Sequence, residues 1–171
     1  MHRCLTILFA AAFALQAQTA TFITESKSGF AAVKTNIEKM AEAMPEDGYG
    51  FKPTPDIRSF GELMQHVADA QARICSAATS TPKQVNAASK KTKAEIVAAL
   101  KESSAICDAA FDGLTEATAG TPGAMMGRTK LGLLQYNTGH SLEEYGYGSV
   151  YLRLKGIVPP STAAAPPGRG R

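Results

Sequence analysis

A run of residues near the C-terminus constrains the fold more than any other part of the sequence. Its members follow one another in alternating steps of four and three: Leu133, Asn137, His140, Glu144, Tyr147, Tyr151 and Leu154. This spacing is typical of the inward face of a helix in a bundle. The face carries a histidine and a glutamate, and burying such groups without a partner costs several kcal/mol. The pattern therefore predicts a metal ion or a buried polar network inside a helical bundle.

The composition limits the class of protein. With 171 residues, 44% of them hydrophobic, the chain fits one globular domain and hardly two. Its formal net charge is only +3. Lysines cluster between Lys83 and Lys101 alone, and no aromatic residues lie among them. A solvated surface explains these lysines better than a nucleic-acid-binding patch, so we expect no nucleic-acid partner.

Residues 1–20 are typical of a secretory signal peptide. Two polar side chains follow the first methionine, and an apolar run then extends from Cys4 to Leu15. Such a run is too short to span a bilayer comfortably. Cleavage is expected after Ala17 or Ala20, and an uncleaved anchor is the alternative. We therefore expect a secreted or periplasmic protein that has no membrane contact after cleavage.

Apolar periodicity and capping signals predict four helices between residues 27 and 160. They are expected over Lys27 to Met44, Ser59 to Ala78, Thr92 to Gly113 and Arg128 to Lys155. Capping boxes, Ser59 with Glu62 and Thr92 with Glu95, mark two of the starts. Gly156, which precedes an isoleucine and two nearby prolines, marks the last stop. Residues 161–171 are rich in Ala, Pro, Gly and Arg and are predicted to be a disordered tail.

Two cysteines remain after removal of the signal peptide, and their positions connect a disulfide to the helix directions. Cys75 lies 16 residues after the cap Ser59, and Cys107 lies 15 residues after the cap Thr92. If the two helices run parallel from one level, their sulfurs differ in height by only about 1.5 Å. The long polar link over residues 79–91 permits this parallel course. We therefore predict a Cys75–Cys107 disulfide, with two buried thiols as the alternative.

Glycines recur every seven residues in the fourth helix, at Gly132, Gly139 and Gly146. Each costs the helix about 1 kcal/mol relative to alanine. The stripe therefore predicts the close approach of another helix, either within the bundle or across a homodimer.

The candidate metal ligands are His66, His140 and Glu144. Two imidazoles and one carboxylate leave coordination positions open for water or substrate, and the set suits Zn²⁺, Fe²⁺, Ni²⁺ or Mn²⁺. Asn137 and Tyr147 lie one turn away and could orient a ligand or face the substrate. Their alternative role is that of packed core residues.

A structural role for the buried carboxylate is the competing interpretation. Glu144 would then need a counter-charge, which Arg73, Arg128 or Arg153 could supply. The protein would in that case be a non-catalytic bundle that acts by binding or dimerisation.

Beyond these patterns, the chain resembles the DinB/YfiT-like superfamily. Three stretches carry the resemblance: Pro53–Val67, Gly139–Gly146 and Tyr151–Pro160. The resemblance implies an all-α, four-helix bundle of up-down-down-up topology over residues 27–160. It also implies a divalent metal held by one histidine of the second helix and a His-x-x-x-His pair of the last. His66 and His140 match the first two histidines, and Glu144 stands where the third is expected.

The resemblance further implies a metal-dependent enzyme with a small-molecule substrate. Some members are thiol-dependent transferases or isomerases, and others are regarded as metal-dependent hydrolases. An exported protein meets little low-molecular-weight thiol, which favours hydrolysis by metal-activated water. A thiol-dependent S-transferase and a non-catalytic binding or dimerisation module stay open as alternatives.

Overall fold

The computed structural model describes residues 2–163, with side chains described from Phe22 onward. Its helices are α1 (His2–Ala43), α2 (Phe60–Thr79), α3 (Lys93–Asp112), α4 (Glu116–Ala119), α5 (Lys130–Leu154) and α6 (Pro160–Ala163). Two short 3-10 turns, Glu46–Gly50 and Ala87–Ser89, interrupt the connections. The described part of the chain contains no β-strand, which confirms the predicted all-α class. The long helices α1, α2, α3 and α5 form the bundle.

Helices α2 and α3 run parallel, as predicted. Ser103 of α3 donates a hydrogen bond to Gln71 of α2, and four residues further along both helices Cys107 is bonded to Cys75. The Cα atoms of the two cysteines lie 4.9 Å apart. The predicted disulfide is therefore present, and it lies where the helix register had placed it.

The side-chain contacts of α1 complete the topology. Toward α3 its pairs run in opposite directions, since Lys34 contacts Asp108 while Glu42 contacts Lys101 earlier in α3. Toward α5 the positions increase together, because Ser26 bonds Gln135 and a methionine further along α1 packs on a glycine further along α5. The course is therefore up-down-down-up, which confirms the predicted topology.

Local sequence signals fix the helix ends. Both predicted capping boxes form: at Ser59 the side chain accepts from the backbone N–H of Glu62, whose carboxylate accepts in return. The box at Thr92 is equivalent. At the end of α5, Gly156 has a φ of +73°, and the N–H of Ile157 reaches the Leu152 carbonyl at 2.9 Å. This is the left-handed glycine stop that the sequence predicted.

The core lies between the four long helices and is mainly apolar. Twelve large side chains are fully buried in it: Phe30, Ile37, Met40, Met44, Phe60, Met64, Ile74, Leu100, Phe111, Leu133, Leu134 and Leu152. Because this packing comes from all four helices, it holds α2 and α5 at a fixed spacing, and that spacing positions the polar site described below.

The predicted inward face of α5 is wrong at two of its positions. Tyr147 and Leu154 are 53% and 59% exposed, and their neighbours Gly148 and Leu152 are buried instead. A strict seven-residue repeat drifts by about 20° per repeat from a straight helix of 3.6 residues per turn. The prediction therefore holds from Leu133 to Glu144 and again at Tyr151, and it fails at Tyr147 and Leu154.

The glycine stripe does not pack inside the bundle. A Cβ added to Gly139 or Gly146 would meet nothing within 4 Å. The glycine that allows close packing is Gly148, where an added Cβ would lie 2.5 Å from the Met40 side chain. The prediction of helix contact within the bundle is therefore wrong for Gly139 and Gly146, and the homodimer stays a prediction.

The two ends of the chain were predicted to lie outside the bundle. The predicted signal peptide, residues 1–20, falls where the structure describes no side chains. No helix in the described residues is both long and apolar enough to cross a membrane. The predicted disordered tail is wrong for residues 161–163, which belong to α6, where Ser161 and Tyr145 bond one another. Residues 164–171 lie outside the described residues.

Candidate metal centre

The antiparallel contact between α2 and α5 brings the three predicted ligands together. His66 comes from α2, and His140 and Glu144 come from successive turns of α5. The two Nε2 atoms lie 3.1 Å apart, and the Oε1 atom of Glu144 lies 3.4 Å from one and 3.5 Å from the other. The sequence predicted that these groups share a site. In the structure one atom of each lies within 3.5 Å of the other two.

These separations match what a metal ion requires. Zinc binds imidazole nitrogen and carboxylate oxygen at about 2.0–2.2 Å, and a tetrahedral arrangement then puts neighbouring ligand atoms about 3.3 Å apart. The observed distances of 3.1, 3.4 and 3.5 Å bracket that value. The residues therefore fit a divalent ion without rearrangement of the two helices.

The site is closed on one side and open on the other. The side chain of Glu144 is 8% exposed and that of His140 is 15% exposed, whereas that of His66 is 31% exposed. The carboxylate thus lies at the bottom of the site, and His66 borders the solvent. Solvent therefore reaches the site at the His66 side.

Burial sets the protonation of all three groups. Burial is the main cause that lowers the pKa of His66 and His140, and the nearby guanidinium groups of Arg58 and Arg73 lower both further. Burial raises the pKa of Glu144, and Arg58 only partly opposes this. The imidazoles are therefore held in the neutral form that binds metals, and the carboxylate lacks the cation that would stabilise its charge.

Three buried polar atoms around the site have no hydrogen-bond partner among the described residues: Asn137 Oδ1, His140 Nδ1 and Glu144 Oε2. An unpaired buried polar atom costs about 1–3 kcal/mol. A polar network that served only structure would be expected to satisfy such atoms. An ion that bound both carboxylate oxygens would satisfy Glu144 Oε2, so this atom fits the metal interpretation, whereas Asn137 Oδ1 and His140 Nδ1 do not distinguish the two interpretations.

The two predicted supporting residues differ in position. Asn137 is fully buried, and its amide lies 3.5 Å from the Cys107 sulfur, so it connects the site region to the disulfide. Tyr147 is exposed, and its hydroxyl donates to Glu143. The structure therefore places Asn137 in the interior beside the site, while Tyr147 points away from the ligands.

One arginine near the site, Arg58, was not predicted from the sequence. Arg128 lies over the Tyr136 ring, Arg153 donates to a threonine of α6, and no arginine forms an ion pair with Glu144 in the described residues. Arg58 directly precedes the Ser59 cap, and its positive charge partly opposes the raised pKa of Glu144. Because Arg58 lies before the first turn of α2, helical spacing gave no signal of its place beside the site.

The DinB superfamily matches residues 30–147, and the chain belongs to this family. A solved structure with a similar fold is that of a DinB-like protein, YjoA, from Bacillus subtilis. The two are 23% identical, the match covers 78% of this chain and 93% of the other, and the TM-score is 0.65. That likeness supports the fold alone. No curated protein matches the sequence.

Proposed function

We propose that this chain is an exported, divalent-metal-dependent enzyme that hydrolyses a small molecule. The observation that carries the proposal is the convergence of His66 Nε2, His140 Nε2 and Glu144 Oε1 at the spacing of a metal's ligands. Zinc, nickel, iron and manganese all accept this donor set. A bound ion would act as a Lewis acid and lower the pKa of a coordinated water toward 7.

The chain's own residues would contribute in separate ways. His66 and His140 supply neutral nitrogen donors, because burial keeps them unprotonated. Glu144 supplies the negative charge and is held in place by the buried face of α5. Its second oxygen, Oε2, is buried at the bottom of the site and has no hydrogen-bond partner among the described residues, so it would be available as a second donor to the same ion. Exposure on the His66 side gives the substrate access.

A non-catalytic role is the second candidate, and one distance favours it. The two Nε2 atoms at 3.1 Å also fit an N–H···N hydrogen bond between a donor and an acceptor tautomer. In that arrangement the histidine pair would fasten α2 to α5, and function would reside in binding or dimerisation.

Elemental analysis of protein carrying no affinity tag separates the two candidates. We expect about one equivalent of a transition metal, retained after exhaustive dialysis. His66→Ala, His140→Ala and Glu144→Gln should each lose it, since each removes one of three ligands. Glu143→Gln is the matched control, because its exposed carboxylate lies next in sequence and should leave the metal in place.

The opposing result is equally definite. Metal-free protein, unable to take up Zn²⁺, Ni²⁺, Fe²⁺ or Mn²⁺ on titration while remaining folded by circular dichroism, would overturn the enzyme proposal and favour the hydrogen-bonded pair.

A further inference from the structure

The outward surface of α5 is apolar. Eight large apolar side chains are exposed in the described part of the chain, and four of them belong to this helix. Single exposed apolar residues are common, but a group of them on one element marks a surface that another molecule covers. The four are Leu142, Tyr147, Val150 and Leu154, and each is more than half exposed.

Two glycines share this surface. Gly139 and Gly146 are exposed, and a Cβ added to either would meet nothing within 4 Å. Each destabilises the helix by about 1 kcal/mol relative to alanine, and no contact among the described residues requires its small size. Glycine allows the backbone of another helix to approach closely. The two glycines therefore form a shallow groove along the apolar surface.

The glycines and one of the apolar residues follow a single line along the helix. At 3.6 residues per turn, Gly139, Gly146 and Val150 lie within about 20° of this line, and Glu143 and Arg153 lie about 40° to either side. The steps from 143 to 146, 150 and 153 are three, four and three residues. Such steps are typical of a face that packs against another helix at a small crossing angle.

This face is complementary to itself when a second copy runs antiparallel to it. Gly146 and Val150 lie two positions to either side of position 148, and Glu143 and Arg153 lie five positions to either side. A two-fold axis at that level puts each residue opposite its counterpart in the second copy. The valine of each copy then faces the glycine of the other, and the glutamate faces the arginine. A parallel pair would instead put like charges together, which is unfavourable.

The two charged groups are available for that contact. The Glu143 carboxylate accepts a hydrogen bond from Tyr147, and Arg153 donates one to Thr162. Neither group forms an ion pair with any described residue. They cannot pair within one chain, because the helix between them separates them by about 15 Å. A second copy supplies each group with the opposite charge.

We propose that the outward face of α5 binds a second copy of this chain, as an antiparallel pair of helices with Val150 against Gly146 and Glu143 against Arg153. The inference goes beyond the proposed function and does not depend on it, because the candidate metal ligands lie at the contact of α5 with α2.

Sedimentation equilibrium of the untagged full chain, over a range of concentrations, measures the dissociation constant of the dimer. Gly146→Gln should raise this constant about tenfold or more, because the added side chain fills the groove. The substitution replaces a poor helix former with a good one at an exposed position, so the fold should stay intact. Circular dichroism checks that each variant is folded.

Charge reversal tests the antiparallel register. Glu143→Arg and Arg153→Glu should each weaken the dimer about tenfold, because each puts like charges opposite one another. The double variant restores opposite charges only in an antiparallel pair, and it should return to the parent constant within about twofold. Glu102→Arg is the matched control. It makes the same change at an exposed position of α3, diagonally across the bundle from α5, and should associate like the parent.

The opposing outcomes are distinct. Parent protein that remains monomeric at about 1 mM overturns the inference. A dimer that neither Gly146→Gln nor the single charge reversals weaken also overturns it, because another surface would then hold the copies together. Weakening by both reversals without recovery in the double variant overturns the antiparallel pairing. Metal uptake is measured on the same preparations: a dimer that takes up no metal refutes the proposed function alone, whereas a metal-loaded monomer refutes this inference alone.

Discussion

Helix α2 makes two contacts of opposite character. Toward α3 it is covalently bonded through Cys75, and its buried Gln71 side chain accepts a hydrogen bond from Ser103 of α3 while it donates one to Ser141 of α5. Toward α5 it presents His66 to a second imidazole and to a buried carboxylate that retains an unpaired oxygen. The α2–α3 contact is fixed by a covalent bond, whereas the α2–α5 contact includes buried polar atoms that have no partner among the described residues.

This difference shows how a small bundle can hold a polar site. Unpaired buried atoms lower the stability of the folded state, and stability gained elsewhere must offset that loss. The α2–α3 contact supplies such stability with a covalent bond. We therefore expect changes at the α2–α3 contact to alter mainly the free energy of unfolding. Changes at the α2–α5 contact should alter mainly the affinity for a ligand.

The largest predicted effect is on the contact between α2 and α3. The disulfide closes a sequence separation of 32 residues, and a loop of that length corresponds to about 3–4 kcal/mol. Replacing both Cys75 and Cys107 with alanine should lower the free energy of unfolding by that amount in urea titrations. Adding reductant to the double variant is the control and should change nothing further. A loss below about 1 kcal/mol would show that packing alone holds α2 against α3.

The second prediction concerns metal binding at the contact between α2 and α5. A metal at one hundred times its dissociation constant should stabilise the folded protein by about 2.7 kcal/mol. The effect should be absent in Glu144→Gln and should add to that of the disulfide within about 0.5 kcal/mol if the two contacts are independent. Thermal unfolding with and without metal, in parent and cysteine-free protein, measures this. Strong non-additivity would instead indicate coupling, for which Asn137 is the bridge.

The third prediction separates the two supporting residues. Asn137→Leu should weaken metal binding about tenfold, because its buried amide lies one turn before His140 and helps fix that part of α5. Tyr147→Phe should leave metal affinity unchanged, since the hydroxyl bonds only the exposed Glu143. Competition titration against a metal-sensitive dye compares the two. Equal effects would show that neither residue has a specific role.

The smallest predicted effect is on pH dependence in metal-free protein. The folded-state pKa of Glu144 is raised above 4.5 by burial, so its favourable contribution is present below that pH and is lost as the pH rises through the folded pKa. Glu144→Gln carries no such charge and should unfold at a higher temperature than the parent at pH 8. The difference should vanish near pH 4. A constant difference at all pH values would assign the effect to packing.

Local and register-based features were predictable from the sequence. The capping boxes at Ser59 and Thr92 depend on contacts within four residues, and counting from those caps placed Cys75 level with Cys107. The candidate ligands His66 and His140 were also predicted, through spacing and the family resemblance. The caps and the cysteine register depend on helix geometry alone, whereas the pairing of His66 with His140 required the resemblance.

Other features depend on distances that spacing cannot supply. A seven-residue repeat and a 3.6-residue turn diverge over α5, so Tyr147 was assigned to the interior in place of Gly148. Arg58 lies outside any helix, and its place beside the site depends on the hydrogen bond from Tyr151. That bond joins two residues that are 93 positions apart in the sequence, so no local sequence pattern predicts it.

The two histidines are separated by 74 residues. While the chain is being synthesised, the ribosome releases the segment carrying His66 long before the one carrying His140 and Glu144. A nascent or truncated polypeptide that lacks α5 therefore offers a single imidazole, which cannot compete for a trace ion. Metal capture would thus mark the moment at which the last long helix docks, and the loaded ion would report that folding is complete.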